Sequence, residues 1–462
     1  MTLTSRSPFG RSNRSAARRP IRKAALAAAF LASAFGALPA WAESLVLSNF
    51  TLIDGRGGPA VPGSSMVVTD GRIIWVGPSS QAKAPAGAQT VDLTGKFVTP
   101  GLIDTHIHLG NVEDLTQDQK FYTRANVEKD LKTYASYGYT AVAIMGTDKD
   151  VIFDIRKEQR SGRPTEARIF TSGQGIVFNG GYGGVPGINR VVSTPEQAAA
   201  EVDNQAHKGV DYIKFWLDDE LKTMPKMPVE IRKAVIDAAH RNGLRVFAHI
   251  FYLEDAKNLT DLGVDGFVHS VRDQPIDDAL IASMKAHDTV QVAGTLSREA
   301  AMFAYGADSP RLHDHFFEQS LSPAALAQLS SPERQKTVSS APVFKKLPGF
   351  YEQAKSNLKK LADNGIAFGA GTDSGPPGRV PGYSGHWELQ AMIEAGLTPA
   401  QALYSATGGA AKVLGAKDIG TLEGAKWADF VVLDANPLQD INNTRKINAV
   451  YIAGQKVPTV KP

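Results

Sequence analysis

Two histidines one residue apart close an apolar run, Ile103-Asp104-Thr105-His106-Ile107-His108. In an extended strand such residues point to the same side, so both imidazoles would face one place. Four more ionisable residues sit in or at the ends of similar runs. Lys214 interrupts Tyr212-Ile213-Lys214-Phe215-Trp216, His249 ends Phe247-Ala248-His249, His269 ends Phe267-Val268-His269, and Asp373 ends Gly371-Thr372-Asp373. Imidazole and carboxylate are ligands for zinc and similar divalent ions. A lysine charge inside an apolar strand is costly unless it is paired. Taken singly, a strand histidine is most often a packed core residue, and a strand-end aspartate often only caps the next helix. Six such groups together are hard to explain as packing and define a candidate metal site. The chain has no cysteine. That excludes thiolate ligands, iron–sulfur clusters, disulfides and a cysteine nucleophile. Any metal must be held by His, carboxylate or something less usual.

The elements that position these residues alternate. Eight apolar runs, Gly101–His106, Thr140–Met145, Arg168–Gly173, Tyr212–Leu217, Arg245–His249, Gly266–His269, Val290–Leu296 and Ile366–Gly371, are separated by stretches of helical periodicity such as Pro195–His207 and Val229–His240. Eight strand–helix units in series predict a parallel sheet closed into a (β/α)8 barrel, an α/β fold. The candidate ligands then fall at the C-terminal strand ends, where barrels keep their active sites. Residues 99–415 are long for such a barrel. The excess lies at 297–350, read as a lid or as a surface or oligomer-contact excursion. Residues 43–98 and 416–462 are strand-and-turn rich, with a hairpin signal at Thr69-Asp70-Gly71. They predict a small β-domain built from both ends.

Of 462 residues, 50 are Lys or Arg and 47 Asp or Glu, a formal charge of +3. The near balance argues against nucleic-acid binding. The excess sits in residues 1–42, which hold seven basic residues and no acid, then the apolar run Ala24–Leu38 and Pro39-Ala40-Trp41-Ala42. This reads as a cleavable export signal with a loose twin-arginine pattern at Arg18-Arg19. The run is short of the ~20 residues a membrane span needs. Removing its seven basic groups turns +3 into −4. The expectation is a periplasmic or secreted protein, free of the membrane once the signal is cleaved.

The chain resembles the amidohydrolase superfamily, most closely its secreted imidazolonepropionase-related and Xaa-Pro-dipeptidase-like branch. The resemblance rests on Val98–His108, Lys214, His249, His269, Gly369–Asp373 and the segment Asp418–Leu433. It implies a barrel with a composite β-sandwich domain from both termini. It implies two divalent metals, by default zinc, with manganese or cobalt also fitting. His106, His108 and Asp373 would hold the first, His249 and His269 the second, and Lys214, carboxylated by carbon dioxide, would bridge them. A buried lysine has a lowered pKa and can react as the free amine. The implied reaction is hydrolysis of an amide, such as a dipeptide or N-acyl amino acid, by a metal-bridging hydroxide with Asp373 shuttling the proton. A lactonase, carbamate hydrolase or phosphotriesterase would use the same ligands. A non-catalytic barrel scaffold is disfavoured because all six ligand positions are filled. The expected partner is a small-molecule substrate, and family habit suggests a homo-oligomer.

Other residues are read on position. Tyr252, three after His249, could donate to a carbonyl or a substrate carboxylate. His386, at the start of the last barrel helix and near the active-site rim, is a further catalytic candidate, with packing at the helix N-terminus as the equal alternative. Gly180–Gly184 reads as a flexible substrate loop. Arg298 reads as a solvated surface side chain, with carboxylate binding as the alternative. His207, His240 and His287 fall at helix C-termini, where a cation suits the dipole. His313 and His315 have ligand-like spacing but lie in the polar insertion, and read as surface.

Overall fold

The computed structural model describes residues 43–461. The export-signal expectation falls on residues 1–42 and lies outside the described residues. No helix among the described residues is long and apolar enough to cross a membrane.

Both ends of the described chain build one sheet. Its strand order runs Gln455–Val457, Ile447–Ile452, Phe430–Leu433, Phe97–Pro100, Ser44–Leu52, Val61–Thr69 and Arg72–Pro78, and Gln89–Asp92 also pairs with Ser44–Leu52. The strand period of two divides Phe430–Leu433 between two cores. Phe430 and Val432 pack with Leu47, Phe50, Met66 and Val98 inside the terminal domain. Val431 and Leu433 join the large cluster of the barrel helices. The sheet is thereby seated on the barrel through alternate residues of one strand. A buried ion pair reinforces the seat: Arg168 Nε lies 2.5 Å from Asp429 Oδ2.

The barrel strands are Leu102–Ile107, Tyr139–Ile144, Arg168–Thr171, Ile213–Trp216, Val246–His249, Gly266–Val268 and Val290–Ala293. The first three pair in parallel, as do the last four. Asp211 N donates to Thr171 O, and Ile176 bridges Phe215, joining the two groups. The eighth run closes the ring without forming a regular strand. On one side Gln291 N donates to Ala367 O and Gly369 N to Gln291 O. On the other, Thr105 N donates to Ala370 O, Asp373 N to His106 O and His108 N to Ser374 O. A Cβ on Gly371 would stand 2.4 Å from Ala293 Cβ and 2.9 Å from His106 N. Backbone from three strands therefore meets where only glycine fits. Ile103, Ala141, Ala143, Phe247, Val268 and Val292 fill the interior.

Thr123, Thr194 and Asp277 cap helices Arg124–Ser136, Pro195–His207 and Asp278–Ala286 with side-chain oxygens. The three helix-end histidines are structural: His207 Nδ1 and His287 Nδ1 face carbonyls one turn back, and His240 Nε2 meets Asp265. The 297–350 insertion is helical, with Leu296–Ala304, His315–Glu318, Pro323–Leu329 and Pro332–Ser339. It is tied down by hydrogen bonds from Tyr137 Oη to Phe316 O, Ser320 Oγ to Pro381 O and Arg311 Nη1 to Tyr383 Oη. His313 and His315 are exposed.

Candidate metal centre

Strand ends bring the sequence-derived residues to one place. One ligand atom from each of His106, His108 and Asp373 lies within 4.8 Å of the others. Asp373 Oδ1 stands 3.0 Å from His108 Nε2 and 3.6 Å from His106 Nε2. The His106 and His269 rings are 4.9 Å apart, and those of His249 and His269 4.3 Å. His108, His249, His269 and Asp373 line one cavity of about 120 Å³. Its other walls include Trp216 and Tyr182, whose ring lies 5.2 Å from that of His249. Tyr182 belongs to the Gly180–Gly184 loop, which packs on Trp216: a Cβ on Gly183 would lie 2.2 Å from Trp216 Cγ.

Electrostatics prepares these groups for a cation. Burial lowers His106, His108 and His269, and brings His249 to about 4. All four are neutral at pH 7, with a lone pair to offer. Burial alone would raise Asp373; the Arg379 guanidinium is the largest of the interactions that outweigh it and hold the carboxylate well below its usual range. Burial lowers Lys214 to about 7, partly opposed by Asp373. Lys214 Nζ and both ring nitrogens of His106 are buried without a hydrogen-bond partner. Such orphaned groups are costly unless something outside the protein satisfies them. Backbone strain falls here too: His269, Thr295 and Asp373 have φ of 73°, 54° and 54°.

A second layer orients the imidazoles. Thr147 Oγ1 lies 2.7 Å from His108 Nδ1, and Thr295 Oγ1 lies 2.8 Å from His269 Nδ1. Each threonine holds its ring by Nδ1 and leaves Nε2 for another partner, as ligating histidines require. Asp218 Oδ2 is 3.1 Å from His249 Nε2. Although burial opposes ionisation, the His249 hydrogen bond helps hold Asp218 at about 2. Asp104 accepts from Thr372 N and Thr372 Oγ1, tying the first strand to the turn that carries Asp373. Sequence reasoning passed over Thr147, Asp218, Thr295 and Arg379. The signal for the first three was position, at or just beyond strand ends; Arg379 lies further on, in the loop after the eighth run.

Two expectations are corrected. Arg298 is not a solvated side chain: it is only 11% exposed, its Nε donates to Asp373 Oδ2 at 3.2 Å and its Nη1 to Glu299 Oε1 at 2.6 Å. His386 is not at the rim. It is 5% exposed, with Nδ1 at 2.9 Å from Thr444 Oγ1 and Nε2 at 2.9 Å from Tyr137 O. Both nitrogens are consumed by packing, so it has none left for substrate. From the same helix, Tyr383–Glu394, it is Glu388 that turns inward. It accepts from Leu296 N and Ser297 N and caps the helix after the seventh strand. Tyr252 donates to Asp219 Oδ1 at 2.7 Å, which directs its hydroxyl into the loop beside Asp218.

Four neutral imidazoles, a buried amine and an ionised aspartate at the C-terminal mouth give this α/β barrel a candidate metal centre. The chain belongs to the Amidohydrolase family, whose model matches residues 97–457. An imidazolonepropionase of Streptomyces avermitilis is 26% identical over 382 residues, covering 80% of each chain. An uncharacterized protein of Mycobacterium bovis is 27% identical over 261 residues; the match covers 54% of this chain and only 61% of that relative's length. Among solved structures, a proposed prolidase of Bifidobacterium longum is 28% identical, with TM-score 0.70, covering 91% of this chain and 96% of its own. The fold is accordingly a TIM barrel with a β-sandwich domain.

Proposed function

We propose that the protein is a metal-dependent hydrolase that cleaves carbon–nitrogen bonds of small molecules, dipeptides and N-acyl amino acids first among them. One observation carries the reading: His106 and Lys214 are buried with no protein partner, among neutral imidazoles and beside an ionised aspartate. These donors suit divalent cations. His106, His108 and Asp373 would hold one, His249 and His269 the other. Lys214, a free amine in part at neutral pH, would take up carbon dioxide and bridge them as a carbamate. Bound there, the metals would polarise a carbonyl and lower the pKa of water. The family relationship and the similarity to an imidazolonepropionase and a proposed prolidase support C–N cleavage.

The remaining chemistry belongs to this chain. Arg298 and Arg379 hold Asp373 Oδ2, which directs Oδ1 toward the imidazoles. Asp373 takes a proton at Oδ1 and delivers it to the departing amine. Tyr182 and Trp216 wall the cavity and limit water. Purified protein should contain about two divalent ions per chain and hydrolyse members of a dipeptide and N-acyl amino acid panel. Asp373→Asn should keep the fold and lose ~10²–10⁴-fold in turnover. Undiminished activity in that variant, or in protein stripped of metal, would refute the reading.

A further inference from the structure

The insertion encloses a second cavity of about 220 Å³ beside the imidazole cavity. Its walls are apolar in part, with Met302, Val338 and Leu347, and carry three polar groups, Tyr305, Arg334 and Arg379. Tyr305 is 1% exposed and its hydroxyl has no hydrogen-bond partner. Arg334 Nε is likewise buried without a partner, and no carboxylate pairs with Arg334 among the described residues. No Asp or Glu lines the cavity. Arg379 is paired with Asp373, but the Tyr305 hydroxyl and Arg334 Nε are unmatched donors on the wall of a partly apolar space that holds no carboxylate of its own. Leaving buried donors unmatched is costly, and guanidinium–carboxylate pairing is the strong way to match them. Arg379 lines this cavity and the imidazole cavity alike, so a group held here lies next to Asp373.

We propose that this cavity is a specificity pocket that the insertion adds to the barrel. It takes the carboxylate and apolar side chain of an amino-acid portion of the substrate. Arg334 and the Tyr305 hydroxyl bind the carboxylate, Arg379 marks the passage to the reacting bond, and Met302, Val338 and Leu347 receive the side chain. The inference rests on the hydrolase reading for its substrate but not for its binding chemistry. Burial raises the Tyr305 hydroxyl above its ordinary range, so it stays protonated and donates.

The test uses two inert probes of equal shape, 4-methylpentanoate and 4-methylpentanamide, titrated calorimetrically into the metal-loaded protein. The acid should bind at least about ten-fold more tightly, the loss expected for one hydrogen bond to a charged group. Arg334→Gln should abolish that preference and leave amide binding unchanged. Arg334→Lys should restore part of it. Tyr305→Phe, which removes only a hydroxyl, should weaken acid binding several-fold. In hydrolysis, Arg334→Gln should raise KM for N-acetyl-leucine and hold kcat, with KM for N-acetyl-leucinamide unmoved. Equal binding of acid and amide by the unaltered protein would overturn the proposal. So would an acid preference that survives Arg334→Gln, because recognition would then lie with the metals or Arg379 alone. An acid preference lost in Arg334→Gln, in a protein that hydrolyses no C–N substrate, would sink the hydrolase reading and leave the pocket standing.

Discussion

Lys214 should make the metal-free protein less stable than a variant that lacks it. Its ordinary pKa is 10.5 and burial lowers it to about 7 in the fold. Between those values the unfolded chain binds a proton that the folded chain does not. Stability attributable to Lys214 therefore rises with pH across that window. Below about pH 7 the full penalty applies. At 1.36 kcal/mol per pKa unit it amounts to roughly 5 kcal/mol, an order-of-magnitude figure. By pH 9 only about 2 kcal/mol of it remains. Lys214→Met keeps an unbranched chain in the same space and removes the charge. Urea unfolding of chelated protein in carbon dioxide-free buffer should show the variant more stable at pH 6. That advantage should shrink by roughly 3 kcal/mol by pH 9. The same variant should be inactive. A variant less stable than the parent at pH 6, or an advantage that does not change with pH, would refute the reasoning. It would mean that Lys214 is already satisfied by a partner within the fold.

Two further substitutions separate orientation from packing. Thr147→Val removes the oxygen 2.7 Å from His108 Nδ1 and should weaken metal affinity by ~10–100-fold, measured by competition with a chelator, with little change in Tm. His386→Phe fills the same space but strands Tyr137 O, while Thr444 Oγ1 keeps its bond to Ile441 O. Stability should fall by about 1–3 kcal/mol, while the folded protein keeps its kcat/KM. A large loss of kcat/KM in that variant would return His386 to the active site.

The candidate ligands were legible because a charge at the end of an apolar run is rare enough to stand out. His106, His108, His249, His269 and Asp373 all did so, and Lys214 stood out from within its run. Thr147, Asp218 and Thr295 occupy equivalent positions but did not. Threonine and aspartate at a strand end are also ordinary caps, and their pairing with a histidine on a neighbouring strand exists only in three dimensions. His386 misled for a helical reason. Successive residues turn about 100°, so Glu388, two positions on, lies on nearly the opposite side. The inward-facing member of that turn could not be chosen without the packing. Arg298 was misread because its partner Asp373 comes from a different strand end, and no local pattern announces that pairing. The terminal domain was legible as strands at both ends. Its attachment through Val431, Leu433 and the Arg168–Asp429 pair was not, since those partners are far apart in sequence.

One physical agent, exclusion of water, explains most of the site's chemistry. Desolvation drives the imidazoles and Lys214 to their neutral forms, the forms that donate lone pairs. The same desolvation would neutralise Asp373, and there the fold opposes it with Arg379 and Arg298. Each group is thus moved toward the protonation state a cation requires, but by opposite routes: the bases chiefly by burial, the acid by burial offset with charge. It follows that Arg379 and Arg298 do more than pack. Without them Asp373 would drift toward its protonated form and leave the imidazoles without the anion that completes the cluster. The left-handed backbone at His269, Thr295 and Asp373 fits the same account. Each lies where a strand ends and its side chain, or its hydrogen-bond partner, must turn across the mouth. There the barrel spends conformational strain on aim.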